Sequence, residues 1–206
     1  MSTPAYKRLE NDERRRRLVE LGEQLFIEHS FDEISMAQIA REAGVSKALL
    51  YHYFPSKQEF FVATLTTRAE ELVQRVTPDP SLPPAQALLR SLYAYVGWIS
   101  EHRDGFVKLL RSAAIVPEVD DIVRQVRDGT ATRIIDGLAE ASGETPTPIA
   151  RIAVAGWLSF MDGAILAWLD HPDVQQDQLI GLLVGSLLGS LTAAGAGSLA
   201  QAAAGG

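Results

Sequence analysis

Ser35-Met-Ala-Gln-Ile-Ala-Arg-Glu-Ala-Gly-Val-Ser-Lys-Ala-Leu-Leu-Tyr-His-Tyr-Phe-Pro-Ser-Lys57 reads as two short helices joined by a tight turn. Ser35 is a good N-cap, and Gln38 three residues later completes a capping-box pattern. Ile39 and Ala40 fall on the inner face of the first helix, and Gly44 permits the left-handed backbone of a sharp turn. Val45 and Leu50 plug the angle between the helices. Ser46, Lys47, Ala48, Leu49, Tyr51 and His52 are left facing outward, the layout of a helix-turn-helix that reads a DNA major groove. Pro55 stops the second helix, and Ser56 caps a further one with Glu59 at its third position.

Outward from this stretch the pattern stays helical. Leu18, Leu21, Leu25 and Phe26 recur at three- and four-residue steps, predicting a first helix from about Asp12 to His29 with one apolar face. A fourth helix is expected from about Ser56 to Val76. Four prolines between Thr77 and Pro84 then forbid a continuous helix. Five more helices follow, broken at Pro117, at Gly143 to Pro148 and at His171-Pro172. The fold class is all-α: an N-terminal three-helix helix-turn-helix domain and a larger helical body. The expected boundaries are 1–55, 56–195 and an Ala/Gly-rich disordered tail at 196–206.

Val45-Ser46-Lys47 followed by Leu50-Tyr51-His52-Tyr53-Phe54-Pro55-Ser56-Lys57 resembles the tetracycline-repressor (TetR) family of bacterial regulators. The resemblance covers about Leu18 to Leu65. It implies that Tyr51 meets bases or the adjacent backbone, and that His52 and Lys57 contact phosphates. Read from the residues themselves, Ser46 and Lys47 open the recognition helix and reach base edges or phosphates, and Ser35 is a phosphate anchor. Tyr53 and Phe54 read as packing residues. Two positions depart from the family pattern: Leu49 replaces a frequent small or hydroxyl residue, and Ser30 stands where relatives often carry glycine. The run Arg14 to Arg17 is open to two readings, a solvated helix face or an arm for phosphates and the minor groove.

The family resemblance also implies a ligand pocket in the C-terminal body and a homodimer that a ligand releases from a near-palindromic, double-stranded operator. Tyr93, Trp98, Phe106, Leu110, Trp157, Phe160 and Met161 are the candidate pocket residues. Together they suggest an apolar small-molecule effector, although aromatic residues at helical spacing are often plain core. Gly181, Gly185 and Gly189 recur every four positions, and the preceding helix carries Gly156, Gly163, Ala164 and Ala167. Such small-residue stripes let helices approach closely, predicting a dimer face or, alternatively, ordinary packing within the chain.

Composition narrows the functions. The 206 residues carry a net charge of −7, and residues 1–60 hold nine Lys and Arg against ten Asp and Glu, so a nonspecific nucleic-acid coat is not expected. With no cysteine there is neither a disulfide nor a thiolate centre. Leu179 to Gly206 is uncharged, but its most apolar part, Leu179 to Leu191, is shorter than a span of about 20 residues and is diluted by glycine and serine. The expectation is a cytoplasmic protein without a membrane partner. The four histidines form no HxxxH or HExxH pair, and no nucleophile elbow or phosphate-cradling loop occurs. An enzyme is therefore not expected, nor a metal site or cofactor. A helical ligand-binding or interaction protein that no longer reads DNA, and a transcriptional activator, stand as the alternatives.

Overall fold

The computed structural model describes residues 4–29, 31–79, 81–113 and 116–205. Ten α-helices and no strand are found among them: α1 (Pro4–Glu28), α2 (Met36–Glu42), α3 (Lys47–Tyr53), α4 (Lys57–Val76), α5 (Pro84–Glu101), α6 (Arg103–Ala113), α7 (Pro117–Ser142), α8 (Pro148–Leu169), α9 (Gln176–Ala193) and α10 (Gly197–Ala204). The chain divides into two compact units. One comprises the chain up to Glu71 with Asp104–Ile122; the other comprises Leu72–Arg103 and Val123 onward. The expected boundary after Pro55 therefore moves. Phe60, Phe61 and Thr64 bury the first half of α4 in the first unit, which leaves no seam at Pro55.

The first unit is built around aromatic rings. Leu18, Leu25 and Phe26 of α1 meet Ile39 of α2, Leu50 of α3, Phe54, and Phe60 and Phe61 of α4 in one buried cluster. Phe26 meets Phe61 edge-on with ring centroids 4.5 Å apart, and Phe54 meets Phe60 at 4.9 Å. Gly22 lets α1 lie close against α4: a Cβ there would sit 2.6 Å from both Phe60 Cζ and Thr64 Oγ1. Helix α1 begins eight residues before the expected Asp12, because the polar segment Pro4–Asn11 continues the same helix. Ser30, the departure after the first helix, lies outside the described residues.

In the second unit α9 packs against α8, α10 and α5, and α10 also packs on α5. Leu179, Leu183, Leu187 and Leu191 line the buried face of α9, while Val154, Trp157, Leu158, Met161 and Ile165 line that of α8. The tail corrects the sequence expectation. Gly195 turns the chain with φ at 70°, and α10 then buries Leu199, Ala200 and Ala203. Alanine is the strongest helix former, and its small side chains permit close packing where a low-complexity reading suggested disorder. Helix α8 is long and apolar enough to cross a membrane by length and composition, but one of its faces is buried in the unit's core.

Candidate nucleic-acid interface

The reading head is held by capping chemistry. The Ser35 side chain accepts from the Gln38 amide at 3.3 Å, while the Ser35 amide donates to Gln38 Oε1 at 2.9 Å. Ser46 caps α3 in the same way, accepting from the Leu49 amide at 3.1 Å. Both hydroxyls therefore have structural work, whatever else they touch. Gly44, with φ at 63°, makes the turn between α2 and α3. Leu50 is the residue of α3 that the core buries completely.

That anchoring fixes what α3 presents outward. Lys47, Ala48, Tyr51 and His52 are exposed, with Tyr51 at 41%. The Lys47 ammonium lies 5.9 Å from the Tyr51 ring centroid, so a cation and an aromatic stand together on the exposed side. Leu49 is half-buried beside the buried Leu50, less open than expected. Tyr53 and Phe54 serve packing: Phe54 is buried, and the Tyr53 hydroxyl donates to Asn11 Oδ1 at 3.0 Å.

Lys57 is more constrained than its surface role suggested. It is half-buried, its ammonium donates to the Phe31 carbonyl at 2.9 Å, and it lies 4.3 Å from the Phe31 ring centroid. An ammonium has three donors, so two remain for an anion at this helix start. Ser56 caps α4 beside it, accepting from the Glu59 amide at 3.0 Å. In the arginine run, Arg16 and Arg17 both pair with Glu13, and Arg15 lies 5.1 Å from the Phe54 ring centroid.

The candidate pocket residues differ in how the fold places them. Tyr93 is exposed and donates to Asp177 at 2.8 Å, while Phe160 points outward from α8. Trp98 is buried and stacks on His102; Trp157 is buried and donates its indole N–H to the Leu183 carbonyl at 2.8 Å. Met161 is buried in α8, and Phe106 is buried in the first unit. The Leu110 side chain lies outside the described residues.

Sequence reasoning missed a polar centre in the second unit. Asp162 of α8 is only 8% exposed; it accepts from the Tyr95 hydroxyl of α5 at 2.9 Å and from Arg127 Nε of α7 at 3.0 Å. Burial, followed by the Asp162 carboxylate, pushes the Tyr95 phenol well above its ordinary value of 10, which keeps it a donor. A lone aspartate on an apolar helix was the available signal, since a charge there requires partners.

The outward face of α8 and α9 has the opposite character. Ile152 is 64% exposed, Leu182 54% and Phe160 44%. Among the described residues, no atom outside the local helix backbone lies within 4 Å of where a Cβ would stand at Gly156, Gly163, Gly181, Gly185 or Gly189. Ala167 is exposed with them, and Ala164 is half-buried at the edge.

Comparisons with known proteins agree over most of the chain. Residues 18–64 match the family described as "Bacterial regulatory proteins, tetR family", and residues 84–189 match "Tetracyclin repressor-like, C-terminal domain". The HTH-type transcriptional activator FasR of Mycolicibacterium smegmatis is 26% identical over 171 residues, 80% of this chain and 76% of that one. A tetR-family transcriptional regulator from Streptomyces coelicolor superposes with a TM-score of 0.80 at 28% identity, covering 94% of this chain and 90% of its own. The flavonoid-responsive regulator FrrA superposes with a TM-score of 0.67 at 26% identity, covering 88% and 97%.

Proposed function

The chain belongs to the tetracycline-repressor family of DNA-binding transcriptional regulators, and from that premise we propose that it is a cytoplasmic homodimeric repressor released from its operator by an apolar small molecule. The observation that carries the DNA contact is the outward set of α3: Lys47 beside Tyr51, with Ala48 and His52, on a helix fixed by Leu50 and by the Ser46 cap. In this reading Tyr51 and Ala48 meet base edges or thymine methyls. Lys47, His52 and Lys57 take phosphates, and the capped N-termini at Ser35 and Ser46 lend their amides.

Dimerisation through α8 and α9 is supported by their exposed apolar face. Monomers rarely leave such a continuous patch in water. A two-fold dimer would set two recognition helices about 34 Å apart, one turn of B-DNA, on a near-palindromic site. Control is a population shift: an effector preferred by the form with misplaced reading heads lowers operator affinity by its differential affinity for the two forms. Helix α4 suits the lever, because it is unbroken while its residues fall in both units. Arg68 ties it to Glu23 of α1 at 2.7 Å, and Arg75 ties its last turn to Glu101 at 3.3 Å.

The test is selection of duplexes from a random pool by the purified protein at two salt concentrations. A near-palindromic motif is expected, with binding lost in the paired substitution of Tyr51→Ala and Lys57→Ala. No enrichment at low salt would overturn the reading in favour of a helical ligand-binding protein. Activation is a second reading, favoured by the name of the Mycolicibacterium smegmatis relative. In vitro transcription from the selected site separates the two by the sign of the effect.

A further inference from the structure

The family match begins at residue 18, yet α1 begins fourteen residues earlier, at Pro4. The segment before Leu18 is tied to the end of the recognition helix by two separate contacts. Asn11 accepts the Tyr53 hydroxyl at 3.0 Å, and the Arg15 guanidinium lies over the Phe54 ring at 5.1 Å. Asn11, Arg15 and Leu18 recur at helical steps of four and three, so the face of α1 that enters the core at Leu18 continues onto α3 at Asn11.

The same contacts sort the arginine run. Arg16 and Arg17 are both held by Glu13, and Arg16 also lies 3.7 Å from Glu20. Arg15 covers a ring that the core otherwise buries. Arg14 is exposed and, among the described residues, makes no ion pair. It stands three residues after Asn11, one turn along the helix from the side chain that touches the recognition helix.

We propose that this first part of α1 is a working part of the DNA interface, in which Asn11 and Arg15 brace the end of α3 and Arg14 takes a backbone phosphate of the same half-site. The inference rests on the operator-binding reading above. Asn11 and Arg15 are positioning residues, and Arg14 is a contact residue. The two roles separate through salt. Neutralising one phosphate contact changes the slope of log affinity against log salt by about 0.9, whereas a brace changes affinity at every salt concentration alike.

The experiment measures affinity for the selected operator across a salt series, for the wild type, Arg14→Ala, Asn11→Ala, Tyr53→Phe, the Asn11→Ala/Tyr53→Phe pair and Arg16→Ala. Arg14→Ala should lower the slope by about 0.9. Asn11→Ala and Tyr53→Phe should each weaken binding about fivefold with the slope kept, and their combination should weaken it no further than either alone. Arg16→Ala should match the wild type. An Arg14→Ala slope equal to the wild-type slope overturns the phosphate contact. Additive losses in the pair overturn the brace. Wild-type protein that binds no duplex overturns the operator reading itself and this inference with it.

Discussion

Replacing Gly22 by alanine tests the closest approach in the first unit. A Cβ there would lie 2.6 Å from Phe60 Cζ and from Thr64 Oγ1, and 2.9 Å from Phe60 Cε1, about 0.8 Å inside the 3.4 Å of ordinary contact. Neither neighbour has room to yield. Phe60 is fully buried between the Phe26 and Phe54 rings, and the Thr64 hydroxyl is bound to the Phe60 carbonyl at 2.9 Å. Two effects then oppose each other. Alanine in a helix gains about 1 kcal/mol over glycine, and overpacking a closed core costs about 1 to 3 kcal/mol. With the overlap set against immobile atoms the second effect wins, and a net loss of about 1 to 2 kcal/mol is expected. Urea unfolding followed by far-ultraviolet circular dichroism measures it at a single protein concentration. Gly137→Ala is the matched control: Gly137 is exposed on α7 with nothing within 4 Å, so the same chemistry should stabilise by about 1 kcal/mol. If Gly22→Ala were as stable as the wild type, the proposed fit of α1 on α4 would be refuted.

Three further perturbations address the other features. Gly185→Leu places a bulky side chain in the middle of the exposed α9 face; sedimentation equilibrium should report monomers, and an unchanged dimer would remove that face from the interface. Asp162→Asn leaves the Arg127 guanidinium without its counter-charge. A loss of about 2 to 3 kcal/mol is expected in urea unfolding, less than for a fully buried pair because Arg127 is partly solvated. Burial holds the Glu23 carboxyl above its ordinary 4.5, an effect that outweighs the neighbouring Arg68, so the folded state binds this proton more tightly than the unfolded state does. The stabilisation from Glu23 is therefore full below 4.5 and is lost as pH rises from there through the raised folded value. Unfolding of wild type and Glu23→Gln across that window should show the wild type losing ground as pH rises, and the opposite trend would contradict the burial argument.

What the sequence disclosed follows the range of the interactions involved. The helix-turn-helix was legible because its determinants are local. Ser35 and Gln38 close one cap, Gly44 supplies the turn, and Val45 and Leu50 set the angle, all within sixteen residues. The pocket residues were less legible, since helical spacing tells which side chains share a face but not which way that face points. Phe160 lies one turn from Trp157 and next to Met161 on α8, yet it is exposed while they are buried. The Tyr95–Asp162–Arg127 centre joins residues 67 and 35 positions apart, and nothing local to any of them announces the others. Helix α10 was hidden by its own composition, because Ala and Gly give almost no amphipathic contrast. What orders it is packing against α5 and α9.

The glycines of α8 and α9 differ from Gly22 in what surrounds them. Gly156, Gly163, Gly181, Gly185 and Gly189 sit inside regular helices, each less favourable there than alanine by about 1 kcal/mol. Their sum, about 5 kcal/mol, is comparable to the whole stability of an ordinary domain. Among the described residues no atom outside the local helix backbone stands within 4 Å of these missing Cβ positions, so no close helix contact within the chain accounts for them. At Gly22 the closeness of Phe60 and Thr64 accounts for the glycine; on α8 and α9, as at Gly137, no such neighbour stands among the described residues. In the proposed dimer, a second copy of the same helices would approach closely for want of side chains and would bury Ile152, Phe160 and Leu182, offsetting the loss through apolar area and tight backbone contact. A two-fold operator requires a dimer of fixed spacing, and helices packed this closely, without long flexible side chains between them, would set that spacing rigidly enough for a small displacement in each subunit to move both recognition helices out of register.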